Sequence, residues 1–336
     1  MDVWPLPRIT FRELSGVKES RPTALLTQSA VWANLSKSLQ LPLVIQAEPN
    51  RADRDFFEYL AANLPTPVQV VYAVGDGLLI DAAKVAAHHN RKPLVIVPTA
   101  ISSDVPFTWT ATARDNDQPV EIVTGPAEEV VIDLKLIQAA PVYQRAAGIA
   151  DVLSIVTALR DWSYADQKGR TTPDTKIVQW ATGIAASLAA QAIKSAAALG
   201  KGELDALRTL VDLICMTVQL DSQLGHRRTS QGVEHVFADA VKADSAVSHA
   251  ERVGPGILLA SALYGKDCVS MRAALEGAGI RLGQIKPQDM RAAFNALPDY
   301  ARQRNLPYSM LNDLQSNADV LAQALGKSTL MPATSS

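Results

Sequence analysis

Cysteine is scarce in this chain. Cys215 and Cys268 are the only two in 336 residues, and neither lies in a C-x-x-C pattern. A disulfide scaffold is therefore not expected, and the chain reads as an ordinary intracellular, cytoplasmic protein. Blocks of one charge sign are also missing: 32 Lys and Arg stand against 34 Asp and Glu, a net charge of −2. Recognition of a phosphate backbone needs a concentrated cationic surface, so nucleic acid is not an expected partner. The opening "MDVWPLPRITFREL" lacks the charged-then-apolar layout of a signal peptide. A membrane-spanning helix needs about twenty strongly apolar residues. The nearest stretch, "ATGIAASLAAQAIKSAAALG" at 181–200, is mostly alanine and carries Gln191 and Lys194. It is read as a buried helix, and membrane insertion is not expected. Internal repeats and low-complexity segments are absent as well.

What is present is apolar residue in quantity, 48% of the chain, enough for a substantial core. The length suggests two domains. Up to about residue 135, short apolar runs alternate with helical stretches. Runs at 23–28, 42–47, 68–75 and 92–99 are strand-like, with helical segments at 29–39, 53–63 and 78–89; "VEIVTG" and "EEVVIDL" follow. Unbroken Val/Ile/Leu strands between helices predict a parallel sheet covered on both faces. After Pro141 the β-branched runs thin out and alanine-rich helical periodicity takes over. Helices are predicted at 144–167, 174–199, 203–224, 230–243, 248–265, 267–278, 287–296 and 312–325. The predicted fold is an α/β N-terminal Rossmann-like parallel-sheet domain over 1–140 and an all-α C-terminal domain over 141–326. The tail, 327–336, is expected to be disordered.

Two stretches of the N-terminal part carry candidate chemistry. "VVYAVGDGLLIDAAK" is a strand, a glycine turn and a helix start. Gly75 and Gly77 would let the backbone approach a pyrophosphate, with helix N–H groups pointing at it. A tight turn needing positive φ is the plainer alternative. "VPTAISSDVPFT" puts Thr99, Ser102, Ser103 and Asp104 at the carboxyl edge of the sheet, where open α/β folds bind ligands; a polar loop of Asx and Ser turns is the alternative. In the helical part, two of only five histidines, His235 and His249, stand fourteen positions apart. Each on its own also fits a satisfied core residue.

In order, these pieces resemble the superfamily of iron-dependent alcohol dehydrogenases, glycerol dehydrogenases and dehydroquinate synthases, on the glycerol-1-phosphate dehydrogenase branch. The residues that carry the resemblance are "GDGLLIDAAK" (75–84), "PTAISSD" (98–104), "GIAD" (148–151) with "RDWSYA" (160–165), "RTSQGVEH" (228–235) and "HAERVG" (249–254). The resemblance implies a dehydroquinate synthase-like fold and one divalent metal bound by Asp151, His235 and His249. Zinc is the first expectation, with nickel and iron as alternatives. It implies NAD or NADP at Gly75, Asp76, Gly77, Asp81, Thr99, Ser102 and Thr108, with a structural role equally open for Asp81, as for Lys84. It also implies substrate contact by Asp104, a homo-oligomer, and hydride transfer between a small polyol, sn-glycerol 1-phosphate above all, and its ketone.

Several positions depart from the family pattern. Asp76 replaces the middle glycine of the turn, and a carboxylate near a pyrophosphate is repulsive. Leu78 removes the polar residue usual after the turn. Asp239 stands where a histidine is usual, one helical turn after His235, where it could accept a proton but is a poor neighbour for a phosphate. Gln231 and Ala250 reshape the surroundings of the two histidines. Gln28 ends the strand where relatives carry a ribose-binding aspartate, which leaves NAD and NADP both open. Lys84, Arg91, Arg114, Arg227 and Arg228 are candidate phosphate contacts or solvated cations. Two other readings stand beside a dehydrogenase: a cyclase that uses NAD transiently, and a catalytically degenerate, non-redox relative.

Overall fold

The apolar runs of the N-terminal part form a six-stranded parallel sheet in the order β1-β8-β5-β4-β2-β3. Its strands are β1 (Arg8–Phe11), β2 (Thr23–Thr27), β3 (Leu43–Ala47), β4 (Val70–Gly75), β5 (Leu94–Pro98) and β8 (Glu129–Ile132). The structure is a computed structural model and describes residues 3–116, 118–244, 246–266, 268–314, 318–328 and 330. The chain divides into two compact units, Val3–Pro141 and the described residues from Val142 onward. The first is a Rossmann-like α/β unit; the second is helical throughout its described residues, apart from connecting loops.

In the first unit every residue of β2, β4, β5 and β8 is buried, as a sheet covered on both faces requires. On one face, Leu25, Tyr72, Val74, Val95, Val97 and Val131 pack against Val31, Trp32 and Leu35 of α1 (Ser29–Leu35) and Leu136 of α4 (Leu134–Ala139). Each such side chain taken fully out of water contributes roughly 1.5–3 kcal/mol. α2 (Arg54–Ala62) and α3 (Gly77–His89) pack together, and α3 lies against β4.

Two features of this unit escaped the sequence pattern. The first strand is β1, not the run at 23–28. It is amphipathic rather than apolar, and Arg8, Thr10 and Arg12 all bond the buried Glu129 of β8, at 2.7, 2.7 and 2.9 Å. The second is an antiparallel hairpin of β6 (Thr110–Asp115) and β7 (Gln118–Val123), so "VEIVTG" belongs to a separate two-stranded sheet.

The second unit begins with α5 (Val142–Arg145), α6 (Ile149–Leu153) and α7 (Ile155–Gln167), three pieces where one helix over 144–167 was predicted. The break between α6 and α7 falls at Ser154. Its hydroxyl is shared between Asp151 O (2.7 Å) and Ser230 O (2.6 Å), the back-bonding that bends helices. α8 (Gln179–Lys201) and α9 (Leu204–Leu224) follow, each ended by a left-handed glycine, Gly202 and Gly225. Then come α10 (Val233–Ala240), α11 (His249–Leu263), α12 (Val269–Gly277), α13 (Pro287–Gln303) and α14 (Ala318–Ser328). α13 runs through Pro298 well past the predicted end at 296. Of the tail expected to be disordered, Lys327 and Ser328 close α14; residues 329 and 331–336 lie outside the described residues. No described helix is long and apolar enough to cross a membrane, 181–200 included.

Candidate metal centre

Asp151, His235 and His249 come from α6, α10 and α11, and one ligand atom of each lies within 4.8 Å of the others. His249 Nε2 is 2.9 Å and His235 Nε2 3.7 Å from Asp151 Oδ1. Close packing of α10 on α11 makes this convergence. A Cβ on Gly256 would stand 2.6 Å from Glu234 O, so only glycine lets the helices approach this far. Ser248 starts α11 with a capping box: its hydroxyl accepts from Glu251 N (3.3 Å) and its N–H donates to Glu251 (2.9 Å). That fixes His249 as the first helical residue.

Behind His235 lies Glu234, fully buried. It accepts from His235 Nδ1 (2.9 Å), Gly232 N (2.5 Å) and Thr157 Oγ1 (2.6 Å). A proton held on Nδ1 leaves the Nε2 lone pair free to bind a metal beside Asp151, the carboxylate–histidine arrangement that orients metal ligands. Burial alone would lower the His235 pKa, but hydrogen bonds to Asp151 and Glu234 outweigh it and raise it to about 10. Burial alone would raise Asp151, yet His249 and His235 beside it hold it well below the usual carboxylate range. Two imidazoles and a carboxylate with converging atoms suit a borderline divalent ion, and three protein donors leave coordination positions open.

A second carboxyl lies on the other side of Gly232. Asp161 accepts from Val233 N (2.8 Å) and Tyr264 OH (2.5 Å). Burial, and then the nearby Glu234, push its carboxyl up to about 7. A Cβ on Gly232 would collide with this carboxyl, so the glycine makes room for both acids. Asp161, His235 and Asp239 line a cavity of about 450 Å³ within the helical unit.

The first unit brings its own candidates together at one sheet edge. Gly75 and Pro98 are paired across β4 and β5, and Thr99 N donates to Gly75 O (3.1 Å). The glycine turn and the "PTAISSD" loop are thus neighbours. Gly75 (φ 153°) and Gly77 (φ 29°) use backbone conformations that favour glycine. Asp76 is the N-cap of α3 without a side-chain cap bond, and burial pushes its carboxyl up. Ser102 and Asp104 are half-buried in the loop.

Asp81, Lys84 and Thr108 also make contacts within the unit. Asp81 accepts from Thr112 N (3.1 Å) of β6. The fully buried Lys84 donates to Val105 O (2.6 Å), Thr108 O (2.9 Å), Thr108 Oγ1 (2.8 Å) and Thr110 O (2.8 Å). In these contacts they hold the loop and hairpin against α3. Glu234, Thr157 and Asp161 were not singled out from sequence as site residues. Glu234 stands beside His235 within the quoted motif, but only the fold tells that it turns back onto the ring.

A Rossmann-like parallel sheet with a glycine turn, followed by a helical unit carrying an Asp-His-His cluster, is the dehydroquinate synthase-like fold. Comparison with known proteins agrees. Residues 16–141 match the iron-containing alcohol dehydrogenase family. A glycerol-1-phosphate dehydrogenase [NAD(P)+] of Thermococcus kodakarensis is 28% identical over 212 residues, 62% of this chain and 59% of that protein. The match therefore spans less than two thirds of the relative's length. A probable glycerol dehydrogenase from Sinorhizobium meliloti 1021 superposes with a TM-score of 0.68 at 17% identity, covering 98% of each chain. The 2-epi-5-epi-valiolone synthase ValA from Streptomyces hygroscopicus, solved with NAD+ and Zn2+ bound, superposes with 0.66 at 16% identity over 96% and 97%. The chain is thus similar to iron-containing alcohol dehydrogenases over its first unit and to glycerol-1-phosphate dehydrogenases over about three fifths of its length, and it shares the fold of a glycerol dehydrogenase and a valiolone synthase.

Proposed function

We propose that this chain is a metal- and NAD(P)-dependent polyol dehydrogenase, with the first unit binding dinucleotide and the second binding metal and substrate. The observation that carries it is the convergence of Asp151, His235 and His249 from three helices. Within the class, the pair sn-glycerol 1-phosphate and dihydroxyacetone phosphate is the best substrate reading, because the curated relatives carry that name. When bound, a divalent ion supplies Lewis acidity toward a substrate oxygen, and a nicotinamide exchanges the hydride.

The chain's own residues do the rest. Asp151, His235 and His249 hold the ion and leave positions for substrate. Glu234 keeps His235 in the tautomer whose Nε2 lone pair is free for the ion. Asp239, one helical turn from His235 on the same cavity, is the group that takes the hydroxyl proton. Asp104 would bind substrate hydroxyls. Gly75, Gly77, Thr99 and Ser102 offer backbone and hydroxyl contacts to the dinucleotide phosphates, where Asp76 weakens the attraction.

The test is a titration of metal-loaded protein with NADH and NADPH, read by energy transfer from tryptophan to nicotinamide, followed by turnover of a polyol and ketose-phosphate panel. Binding together with turnover that is lost in Asp151→Asn supports the reading. No binding at millimolar cofactor, with metal confirmed present, refutes it and favours a non-redox relative.

A further inference from the structure

A second cavity of the helical unit, about 600 Å³, lies between α7 and α8 at the end of α11. It shares no lining residue with the cavity beside His235. Its size falls within the range of small-molecule sites. The hollow comes from the sequence of α8. Residues 186, 189, 190 and 193 recur at the spacing of one helix face, and the first three are alanine. Short side chains there leave the space open, and Val156 and Leu159 of α7 and Ile193 of α8 make its lining apolar.

The polar groups of the wall are accounted for, with two exceptions. Gln167 Nε2 donates to Ser163 Oγ at 3.1 Å. Tyr164 OH donates to Asp313 (2.6 Å) and Tyr264 OH to Asp161 (2.5 Å), so both tyrosines offer rings rather than hydroxyls. Those rings meet edge to face with centroids 6.4 Å apart, an aromatic part of the wall. Arg160 and Lys266 remain. Among the described residues no acceptor is bonded to either side chain, and no acid lines the cavity. Lys266 is exposed and alone would be an ordinary solvated cation, but Arg160 is half-buried. An apolar hollow whose only unengaged polar groups are two cations is complementary to one chemistry: an apolar body that ends in an oxyanion.

We propose that this cavity binds a small amphiphilic oxyanion, a short alkyl chain carrying a carboxylate or phosphate head. Arg160 is the principal partner of the head, Lys266 adds positive charge, and the chain lies along Val156, Leu159, Ala190 and Ile193. The site is separate from the metal centre and does not rest on the dehydrogenase reading.

The test is calorimetric titration of the full chain, with and without zinc, using octanoate, octyl phosphate, octanol and inorganic phosphate below micelle-forming concentrations. Octanoate or octyl phosphate is expected to bind at least about tenfold tighter than octanol or inorganic phosphate, because both halves of the ligand are used. The tighter of the two names the head group. Arg160→Met should weaken that binding at least about tenfold and leave octanol unchanged; Arg160→Lys, which keeps charge but not the planar fork, should weaken it less. Ala190→Trp should abolish binding of every chain-bearing probe. Ala190 is exposed, so the larger side chain fills the cavity without entering the core.

Failure of wild type to bind either amphiphile overturns the proposal, as does unchanged affinity in Ala190→Trp or in Arg160→Met. If Arg160→Met does not fold, Ala190→Trp and Arg160→Lys decide. Binding seen only with zinc present would put the oxyanion on the metal and overturn it too. Self-association that Ala190→Trp removes, without binding of either amphiphile, would assign the groove to a second copy of the chain and refute the ligand.

Discussion

Glu234 is expected to set metal affinity without touching the metal. It accepts three hydrogen bonds: from His235 Nδ1, from Gly232 N and from Thr157 Oγ1. Glu234→Gln can keep all three contacts. Its carbonyl oxygen faces His235 and Gly232, while its amide nitrogen donates to Thr157 Oγ1, which then turns its own proton to Ser154 O, already 3.0 Å away. The variant thus loses charge but not shape. Removing the carboxylate makes the His235 imidazole a weaker donor, and loss of such outer contacts costs about 10- to 100-fold in metal affinity. Glu234→Gln should fall near tenfold, or about 1.4 kcal/mol. Glu234→Ala should fall nearer a hundredfold and also destabilise the fold, since two buried donors lose their acceptor, at about 1–3 kcal/mol each. Zinc competition against a chromophoric chelator reads the affinity, and thermal melts of the metal-free proteins read the fold. Wild-type zinc affinity in both variants would refute the reasoning, because His235 would then be oriented by something other than Glu234.

Gly256→Ala should lower stability by about 1–3 kcal/mol and weaken zinc binding. The added methyl meets the Glu234 backbone at 2.6 Å, and this overpacking outweighs the roughly 1 kcal/mol that alanine gains over glycine in a helix; a stabilised variant in a thermal melt would contradict it. Asp161 has its pKa raised from 3.8 to about 7, so the stability it contributes is complete below about pH 4 and is lost as pH rises to about 7. The ceiling is about 4 kcal/mol, and Asp161→Asn should flatten the urea-denaturation profile of the metal-free protein across that window; an unchanged slope would count against the assignment. Asp76→Gly should tighten NADH binding several-fold by removing a carboxylate from the turn before α3, and equal affinity by energy transfer would show that this carboxyl points away from the pyrophosphate.

How far the sequence could be read depended on the kind of signal. β2, β4 and β5 were legible because they are buried on both faces and so are continuously apolar. β1 was not, because its stability comes from Arg8, Thr10 and Arg12 converging on Glu129, an interaction across about 120 residues that leaves no local pattern. The split of 144–167 was hidden for a related reason. Ser154 is unremarkable until its hydroxyl meets Ser230 O, 76 positions away. Asp151, His235 and His249 were named from motif resemblance, not from spacing. No periodicity joins residues on α6, α10 and α11.

The glycines of the helical unit show why the motif and the geometry belong together. Gly232 looks like a helix start, and a structural reading would stop there. In the fold it is also the only residue type that admits both Asp161 and Glu234 beside the same backbone, one acid bound to Val233 N and the other to His235. Burial, with Glu234 nearby, opposes the ionisation of Asp161. Glu234 has three hydrogen-bond donors and serves the ring; Asp161 is the one pushed toward the neutral form. One glycine therefore links the orientation of a candidate metal ligand to a buried acid on the wall of the same cavity, so a bulkier residue at 232 should weaken metal binding, as zinc competition would read.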